Sequence, residues 1–203
     1  MLIKDQKIYT SGMMEEVSRC KKALELAGNG ETVTVVSSGD PGVYGMAGLI
    51  LELNKNEQLE IEIVPGVSAV NAAASLLGAP LSHDFAVISL SDLLTSWEII
   101  EKRIKCAAEG DFVIAIYNPK SKRRVSQIIN ARDITLKYRS GTTPVGIVTN
   151  AYREKQSIVL SNLKDFADED INMLSVVIIG NSQTVLDKGR LITPRGYQSK
   201  YQV

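Results

Sequence analysis

Residues 35–45 read Val-Val-Ser-Ser-Gly-Asp-Pro-Gly-Val-Tyr-Gly and are the strongest local signal of the fold class. A short apolar run leads into a turn with three glycines, and a helical pattern follows from Gly42 or Val43 to about Leu53. A strand that passes through such a turn into a helix is the first half of a βαβ unit, from which α/β proteins are built. Ligands of open α/β sheets bind outside the carboxyl ends of the strands, where this turn is expected.

Two interpretations of the turn are open. Its glycines allow the backbone to approach a ligand closely, and Asp40 can accept hydrogen bonds from ligand hydroxyl or ammonium groups. Alternatively, Asp40-Pro41 is the N-cap of the following helix, with proline at the first helical position. The Gly-Lys-Ser/Thr ending of a P-loop and the dinucleotide fingerprint are both absent, which argues against those phosphate-binding classes.

The pattern of helices and strands continues outward from this turn and predicts an α/β protein with largely parallel strands. Helical patterns cover residues 11–27, 42–53, 68–77, a segment marked by Trp97, Ile100 and Ile104, and 122–138. Strand patterns cover residues 32–37, 60–64, 85–90, 111–117 and 144–149, with shorter signals at 157–160, 176–179 and 191–193. The short spacings in the second half favour antiparallel pairing there. We expect two α/β domains, residues 1–95 and 96–203.

The bulk composition excludes several classes of protein. The 203 residues are 44% hydrophobic, enough for a substantial core, and 23 basic and 23 acidic side chains cancel, so no global field favours nucleic acid or an anionic membrane. Apolar runs fall far short of the roughly 20 residues that span a bilayer, and the amino terminus lacks a signal-peptide pattern, which predicts a cytoplasmic protein. Cys20, Cys106 and His83 are too few for a structural zinc site, so no metal is expected.

Polar or small residues follow four further predicted strands. The segments are Pro65-Gly66-Val67-Ser68-Ala69, Ser89-Leu90-Ser91-Asp92, Tyr117-Asn118-Pro119 and Thr149-Asn150-Ala151. Each segment alone is typical of an ordinary turn. Together they predict a cleft for a polar small molecule along one edge of the sheet.

A basic run, Lys120-Ser121-Lys122-Arg123-Arg124, follows one of these strand ends at the start of a predicted helix. A solvated charged surface is the usual explanation of such a run. Cations at a helix amino terminus oppose the helix dipole, however, and suit the binding of carboxylates. The resulting candidates for substrate binding are Lys120, Lys122, Arg123, Arg124 and Arg153.

The sequence contains no convincing set of nucleophile, base and orienting group. His83 is its only histidine, and a Gly-x-Ser-x-Gly elbow is absent. This weakens a hydrolase interpretation and favours a reaction that depends on positioning two reactive molecules, such as methyl transfer from a sulfonium to a carbon nucleophile.

Ser38–Gly45 followed by Pro65–Ala69 resembles the signature of the tetrapyrrole methylases, the class III S-adenosylmethionine-dependent methyltransferases. Other stretches resemble the branch of this family that methylates carbon 17 of precorrin-3B in cobalamin biosynthesis. They are residues 11–20, 83–95, 116–122, 143–148, 179–184 and 193–197. The resemblance covers nearly the whole chain and implies a homodimer whose two α/β domains hold the cofactor in a cleft between them.

The resemblance also implies a reaction. A methyl group passes from S-adenosyl-L-methionine to carbon 17 of precorrin-3B, or of its cobalt analogue, and the ring contracts to give precorrin-4, or cobalt-precorrin-4, and S-adenosyl-L-homocysteine. Any metal is carried by this tetrapyrrole substrate. The implied cofactor contacts are Gly39, Asp40, Val43, Ser68, Ala69, Tyr117, Asn118, Ala151 and Asn181. Ser89, Ser91 and Asp92 are candidates for moving protons.

The sequence departs from the family pattern in two places. Family members usually begin with a strand and a Gly-x-Gly-Pro-Gly loop, so we expect a fold that lacks its N-terminal strand and part of the cofactor site. Tyr152 stands where the branch more often has glycine, which predicts a narrower cleft. The alternatives are another methyltransferase of the same fold, acting at a different precorrin carbon or resembling diphthine synthase, and an inactive truncated binding protein.

Overall fold

The computed structural model describes residues 5–12, 14–56 and 59–201; Met13 of the quoted stretch 11–20 therefore lies outside the described residues. The chain divides into two compact units, Met1–Ser68 and Ala69–Val203, which we call the first and second unit. Among the described helices, none is long and apolar enough to cross a membrane.

The first unit is built on two helices. Helix α1, Glu16–Gly28, buries Cys20, Leu24 and Leu26, and it packs against helix α2, Ala47–Leu53, which continues into a 3-10 turn at Asn54–Asn56. Both helices begin later than predicted. Before α2 the chain forms a tight turn, in which the Ala47 amide donates to the Pro41 carbonyl at 3.1 Å.

The strands predicted at residues 32–37 and 60–64 are not observed. Neither segment forms a β-ladder with any described part of the chain. Val36 and Val64 are 82% and 68% exposed, so the expectation of a buried strand at 32–37 was wrong. An apolar run becomes a buried strand only when neighbouring strands supply hydrogen bonds and a packing surface covers it.

Over its described residues, 69–201, the second unit contains two sheets, four α-helices and a 3-10 helix at Phe166–Asp168. The helices are α3, Ala69–Leu77; α4, Trp97–Glu109; α5, Gln127–Thr135; and α6, Tyr197–Lys200. The strands are β1, Gly78–Ala79; β2, Phe85–Ser89; β3, Val113–Tyr117; β4, Pro144–Thr149; β5, Ser157–Asn162; β6, Ser175–Ile179; β7, Val185–Asp187; and β8, Arg190–Ile192. A five-stranded sheet has the order β2-β3-β6-β4-β5, and a small sheet has the order β1-β8-β7.

Strand direction in the large sheet is mixed. Strands β2 and β3 are parallel, whereas the pairs β3–β6, β6–β4 and β4–β5 are antiparallel. The antiparallel second half is as predicted, but the expectation of largely parallel strands was wrong for this sheet. Because β6 runs opposite to both of its neighbours, β2, β3 and β4 all point the same way.

The parallel pairing of β2 with β3 also joins residues on both sides of the predicted domain boundary in one sheet. The compact units divide at residue 68, so β2 belongs with the strands that follow it. Domain limits of 1–95 and 96–203 stay a prediction.

Both faces of the large sheet are covered. Ile114 and Ile116 pack with the apolar faces of α4 and α5, while Val113 and Ala115 pack with α3 on the other face. Gly146 is needed where α3 crosses β4, because a Cβ at this position would lie 2.5 Å from Leu77 Cδ1. This contact fixes α3 closely against the sheet.

Arg139 closes the edge of the sheet where β3 begins and β6 ends. Its side chain is only 1% exposed, and its guanidinium donates to the carbonyls of Gly180 at 2.6 Å, Ala107 at 3.2 Å and Phe112. Its Nε lies 3.8 Å from Asp111 Oδ1. Burial lowers the pKa of Arg139, and the Asp111 carboxylate opposes this effect.

We predict that Arg139→Met destabilises the protein by about 3 kcal/mol, because three carbonyls lose a charge-assisted hydrogen bond in a buried place. Urea unfolding measures this loss. The control is Arg103→Met on the exposed face of α4, which we expect to change the free energy of unfolding by less than about 0.5 kcal/mol. Equal stabilities of the two variants would contradict the structural role of Arg139.

Candidate cofactor and substrate site

Asp40 ties the glycine turn of the first unit to the Pro65-Gly66 turn. Its Oδ1 accepts the Gly42 amide at 2.8 Å, and its Oδ2 accepts the Gly66 amide at 3.0 Å. Glycine is required at position 66, because a Cβ there would lie 2.3 Å from the Gly39 carbonyl oxygen. The structure therefore brings together two of the segments that the sequence singled out.

The amides of Gly66 and then Gly42 hold the pKa of the Asp40 carboxyl below its ordinary value. Because the folded-state pKa is depressed, the two hydrogen bonds to the Asp40 carboxylate contribute their full stability above the ordinary carboxyl pKa of about 3.9. This contribution is lost as the pH falls through the depressed pKa of Asp40. At neutral pH Asp40 is ionised. A carboxylate offers about four acceptor positions, so it can still accept from a ligand.

The helix-capping interpretation of Asp40 was wrong. Helix α2 begins at Ala47 with Met46 as its N-cap residue, six positions beyond Asp40. The intervening turn includes Tyr44 in the left-handed region, at φ 54°. Of the other predicted contacts in this unit, Val43 is 36% exposed and Ser68 is buried.

In the second unit, the ends of β2, β3 and β4 lie along one edge of the sheet, which we call the carboxyl edge. The first turn of α3 is at this edge, because the Val70 amide donates to the Tyr117 hydroxyl at 2.8 Å. Ala69, Tyr117 and Ala151 pack against the same apolar cluster. The structure thus brings together the cofactor contacts predicted from α3, β3 and β4.

Two asparagines turn the chain at the carboxyl edge. Asn118 follows β3 at φ 50°, and Asn150 follows β4 at φ 54°, both in the left-handed region that asparagine tolerates better than most residues. Asn118 Nδ2 donates to Ser89 Oγ at 2.9 Å and so joins the ends of β2 and β3. The Asn150 amide donates to the Leu174 carbonyl at 3.2 Å.

Asn181 is not brought to this edge. Strand β6 runs antiparallel to β3, with Ile179 opposite Ile114, so the residues after β6 lie at the other edge of the sheet. There Asn181 accepts from the Gln183 amide at 3.0 Å and lines a cavity of about 350 Å³ with His83 and Asp111. In the part of the chain that the structure describes, no three His, Cys, Asp or Glu side chains are grouped to hold a metal ion.

The sequence did not predict that residues at the start of β6 lie at the carboxyl edge. Because β6 is antiparallel to its neighbours, Leu174 and Ser175 lie at the carboxyl edge, and Ser175 Oγ is 2.7 Å from Thr149 Oγ1. Searching only the carboxyl ends of strands could not find them. The short spacings that predicted antiparallel strands were the available signal.

The basic run precedes α5 and does not begin it. Helix α5 starts at Gln127, so the argument from the helix dipole was wrong. Lys122 and Arg123 are exposed and form no hydrogen bond or ion pair with the described residues; Arg153 is exposed as well, and Lys120 is half-buried. Arg124 instead donates to the Asn118 carbonyl at 2.8 Å.

The candidates for proton transfer lie in the loop after β2. Ser89 Oγ accepts the Ser91 amide at 3.2 Å, and Asp92 Oδ2 accepts from Gln127 Nε2 at 3.1 Å. These contacts organise the loop, and a catalytic role for its residues stays a prediction. Tyr152 is 67% exposed, and its hydroxyl lies 3.0 Å from Ser75 Oγ on α3; its narrowing of a cleft also stays a prediction.

Comparison with known proteins identifies the family. Residues 3–167 match the family described as Tetrapyrrole (Corrin/Porphyrin) Methylases. The chain belongs to this family. The expected fold class is confirmed, since the mixed α/β architecture with two sheets matches the crystal structure of the methyltransferase CobJ with a TM-score of 0.86 and 39% identity, over 92% of this chain and 80% of that one.

This tetrapyrrole methylase is also similar to curated methyltransferases. It is 54% identical over 206 residues to the cobalt-factor III methyltransferase of Priestia megaterium, an alignment that covers 98% of this chain and 38% of that protein. It is 50% identical over 195 residues to the probable cobalt-factor III C(17)-methyltransferase of Salmonella typhimurium, over 95% of this chain and 81% of that protein. The family uses S-adenosylmethionine as methyl donor.

The hydrogen bond from the Gly66 amide to Asp40 can be tested by substitution. In Asp40→Asn an NH2 group replaces one of the two carboxylate oxygens, so a donor faces the backbone N–H group of Gly42 or Gly66. The hydrogen bond to the Gly66 amide is weakened or lost, and we expect this amide to exchange hydrogen about tenfold faster. Hydrogen exchange with mass spectrometry or NMR measures this. Glu52→Gln on the exposed face of α2 is the matched control and is expected to leave the Gly66 rate unchanged. An unchanged rate in Asp40→Asn would show that the tie does not hold the loop.

Proposed function

We propose that this tetrapyrrole methylase transfers a methyl group from S-adenosyl-L-methionine to carbon 17 of a tetrapyrrole in cobalamin biosynthesis, with contraction of the ring. The observation that carries the proposal is the 50% identity to the probable cobalt-factor III C(17)-methyltransferase over 95% of the chain. The same likeness favours the cobalt-bearing substrate over precorrin-3B. The product is then cobalt-precorrin-4 or a close equivalent.

The proposed cofactor contacts are those that the family resemblance implies, apart from Asn181. They are Gly39, Asp40, Val43 and Ser68 in the first unit, and Ala69, Tyr117, Asn118 and Ala151 in the second. Asp40 is ionised at neutral pH and suits the ammonium or hydroxyl groups of the cofactor. The position of Asn181 at the other edge of the sheet argues against including it.

The proposed substrate contacts are Lys120, Lys122 and Arg123 of the basic run, together with Arg153 after β4. A tetrapyrrole of this class carries several carboxylates, which Lys120, Lys122, Arg123 and Arg153 complement in charge. In the transfer the carbon nucleophile forms a bond to the methyl group while the sulfonium–methyl bond breaks, and the sulfur leaves as a neutral thioether. The chain's contribution is to hold the two molecules in line. A homodimer is part of the same proposal and is supported by the family resemblance. A cytoplasmic location is proposed with it.

The reaction is tested with S-adenosylmethionine labelled with ¹³C in its methyl group. The chain is incubated separately with cobalt-factor III and with precorrin-3B, and the products are analysed by mass spectrometry and NMR. We expect one labelled methyl group at carbon 17. A labelled methyl group at another ring carbon would assign the chain to a different branch of the family. Binding of S-adenosylhomocysteine without any transfer would favour a binding protein.

The basic run is tested by reversing charge. We predict that the double variant Lys122→Glu/Arg123→Glu raises the substrate KM about tenfold at low salt, because two attractions become repulsions, and that added salt reduces the difference. S-adenosylhomocysteine affinity should stay unchanged. The same Lys-Arg pair occurs at Lys102-Arg103 on the exposed face of α4, so Lys102→Glu/Arg103→Glu is the matched control. Equal substrate KM values in the two double variants would show that Lys122 and Arg123 do not contact the substrate.

A further inference from the structure

Arg124 differs from its exposed neighbours Lys122 and Arg123, because its guanidinium points inward. Its side chain is only 11% exposed. One amino group, Nη2, donates to the Asn118 carbonyl at 2.8 Å and lies 3.7 Å from Met173 Sδ. The other, Nη1, lies 3.9 Å from Asp92 Oδ1. Its Nε is buried and has no partner among the described residues.

These contacts converge on the turns that leave β2 and β3. Asn118 is in the left-handed region, and its side chain bonds Ser89 Oγ. Arg124 holds the backbone side of the same turn through a charge-assisted hydrogen bond, which is stronger than a neutral one. Asp92 follows β2, so the guanidinium spans both strand ends.

The backbone of the basic run keeps Arg124 in this place. The Ser121 amide donates to the Arg124 carbonyl at 2.9 Å, and the Arg124 amide donates to Ser121 Oγ at 3.1 Å. This closed turn fixes where the Arg124 side chain begins. A substrate carboxylate that took Nη2 as its donor would leave the Asn118 carbonyl without this hydrogen bond.

We propose that Arg124 is a positioning residue of the methyl-transfer site and not one of its substrate-binding cations. It holds the turn at Asn118, and with it the Ser89–Asn118 hydrogen bond, in the arrangement that receives the cofactor. The proposal rests on the proposed function, because the Asn118 turn matters only if the cofactor binds at the carboxyl edge. The two adjacent arginines then have different roles: Arg123 binds the substrate, and Arg124 positions the turn at Asn118.

The experiment compares Arg124→Met and Arg124→Lys with Arg103→Met on the exposed face of α4. S-adenosylhomocysteine affinity is measured by isothermal titration, and substrate KM and kcat are measured at saturating S-adenosylmethionine over a range of salt concentrations. We expect Arg124→Met to weaken S-adenosylhomocysteine binding about tenfold, the effect of losing one charge-assisted hydrogen bond. Arg124→Lys should recover part of this loss, and Arg103→Met should match the wild type. The salt dependence of substrate KM should be unchanged in all variants.

The opposite pattern would overturn the proposal: a raised and less salt-dependent substrate KM with unchanged S-adenosylhomocysteine affinity makes Arg124 a substrate contact. Circular dichroism establishes that each variant is folded. If Arg124→Met does not fold, the test is made with Arg124→Lys. An S-adenosylhomocysteine affinity equal to that of the wild type in Arg124→Lys would then overturn the proposal. Failure of the wild-type protein itself to bind S-adenosylhomocysteine would count against the proposed function instead.

Discussion

The direction of β6 is the constraint on which the second unit depends. Lying between β3 and β4 and antiparallel to both, it completes their hydrogen bonding and makes them point the same way. As a result the large sheet has two different edges. At the carboxyl edge lie Ser89, the last residue of β2, and Asn118 and Asn150 in the turns after β3 and β4. At the other edge, Arg139 donates to three backbone carbonyls.

Charged side chains have two roles in this protein: some bond the backbone, and others are exposed at the surface. Asp40, Arg124 and Arg139 bond backbone groups and fix turns, although one of them is a carboxylate on an exposed loop and one is almost fully buried. Lys122 and Arg123 remain exposed and are available to a charged substrate. Residue type alone does not distinguish these roles. The distinction depends on whether a backbone carbonyl or amide lies within reach, which only the folded chain determines.

The sequence predicted the elements whose apolar residues recur with the spacing of the face that they bury. Helix α3 and strands β2 and β4 lie within one or two residues of the predicted limits, because their apolar patterns match the faces they bury. Trp97, Ile100 and Ile104, which marked a further helix, all lie in α4. Residues 32–37 show the limit of this reasoning, since an apolar run does not reveal whether neighbouring strands are present to pair with it. Asn181 shows another limit. Its place depends on the direction of β6, and strand direction is a property of the sheet that no local pattern contains.

In the proposed function, the cofactor binds at the carboxyl edge of the large sheet. The most direct measurement is a titration of ¹⁵N-labelled protein with S-adenosylhomocysteine, followed by the chemical shifts of assigned backbone amides. We expect the largest changes in chemical shift at Ser91, Asn118 and Asn150, with little change at Asp111, Asn181 and Ser182. Changes concentrated on Asp111, Asn181 and Ser182, with Asn118 and Asn150 unaffected, would contradict this site for the cofactor.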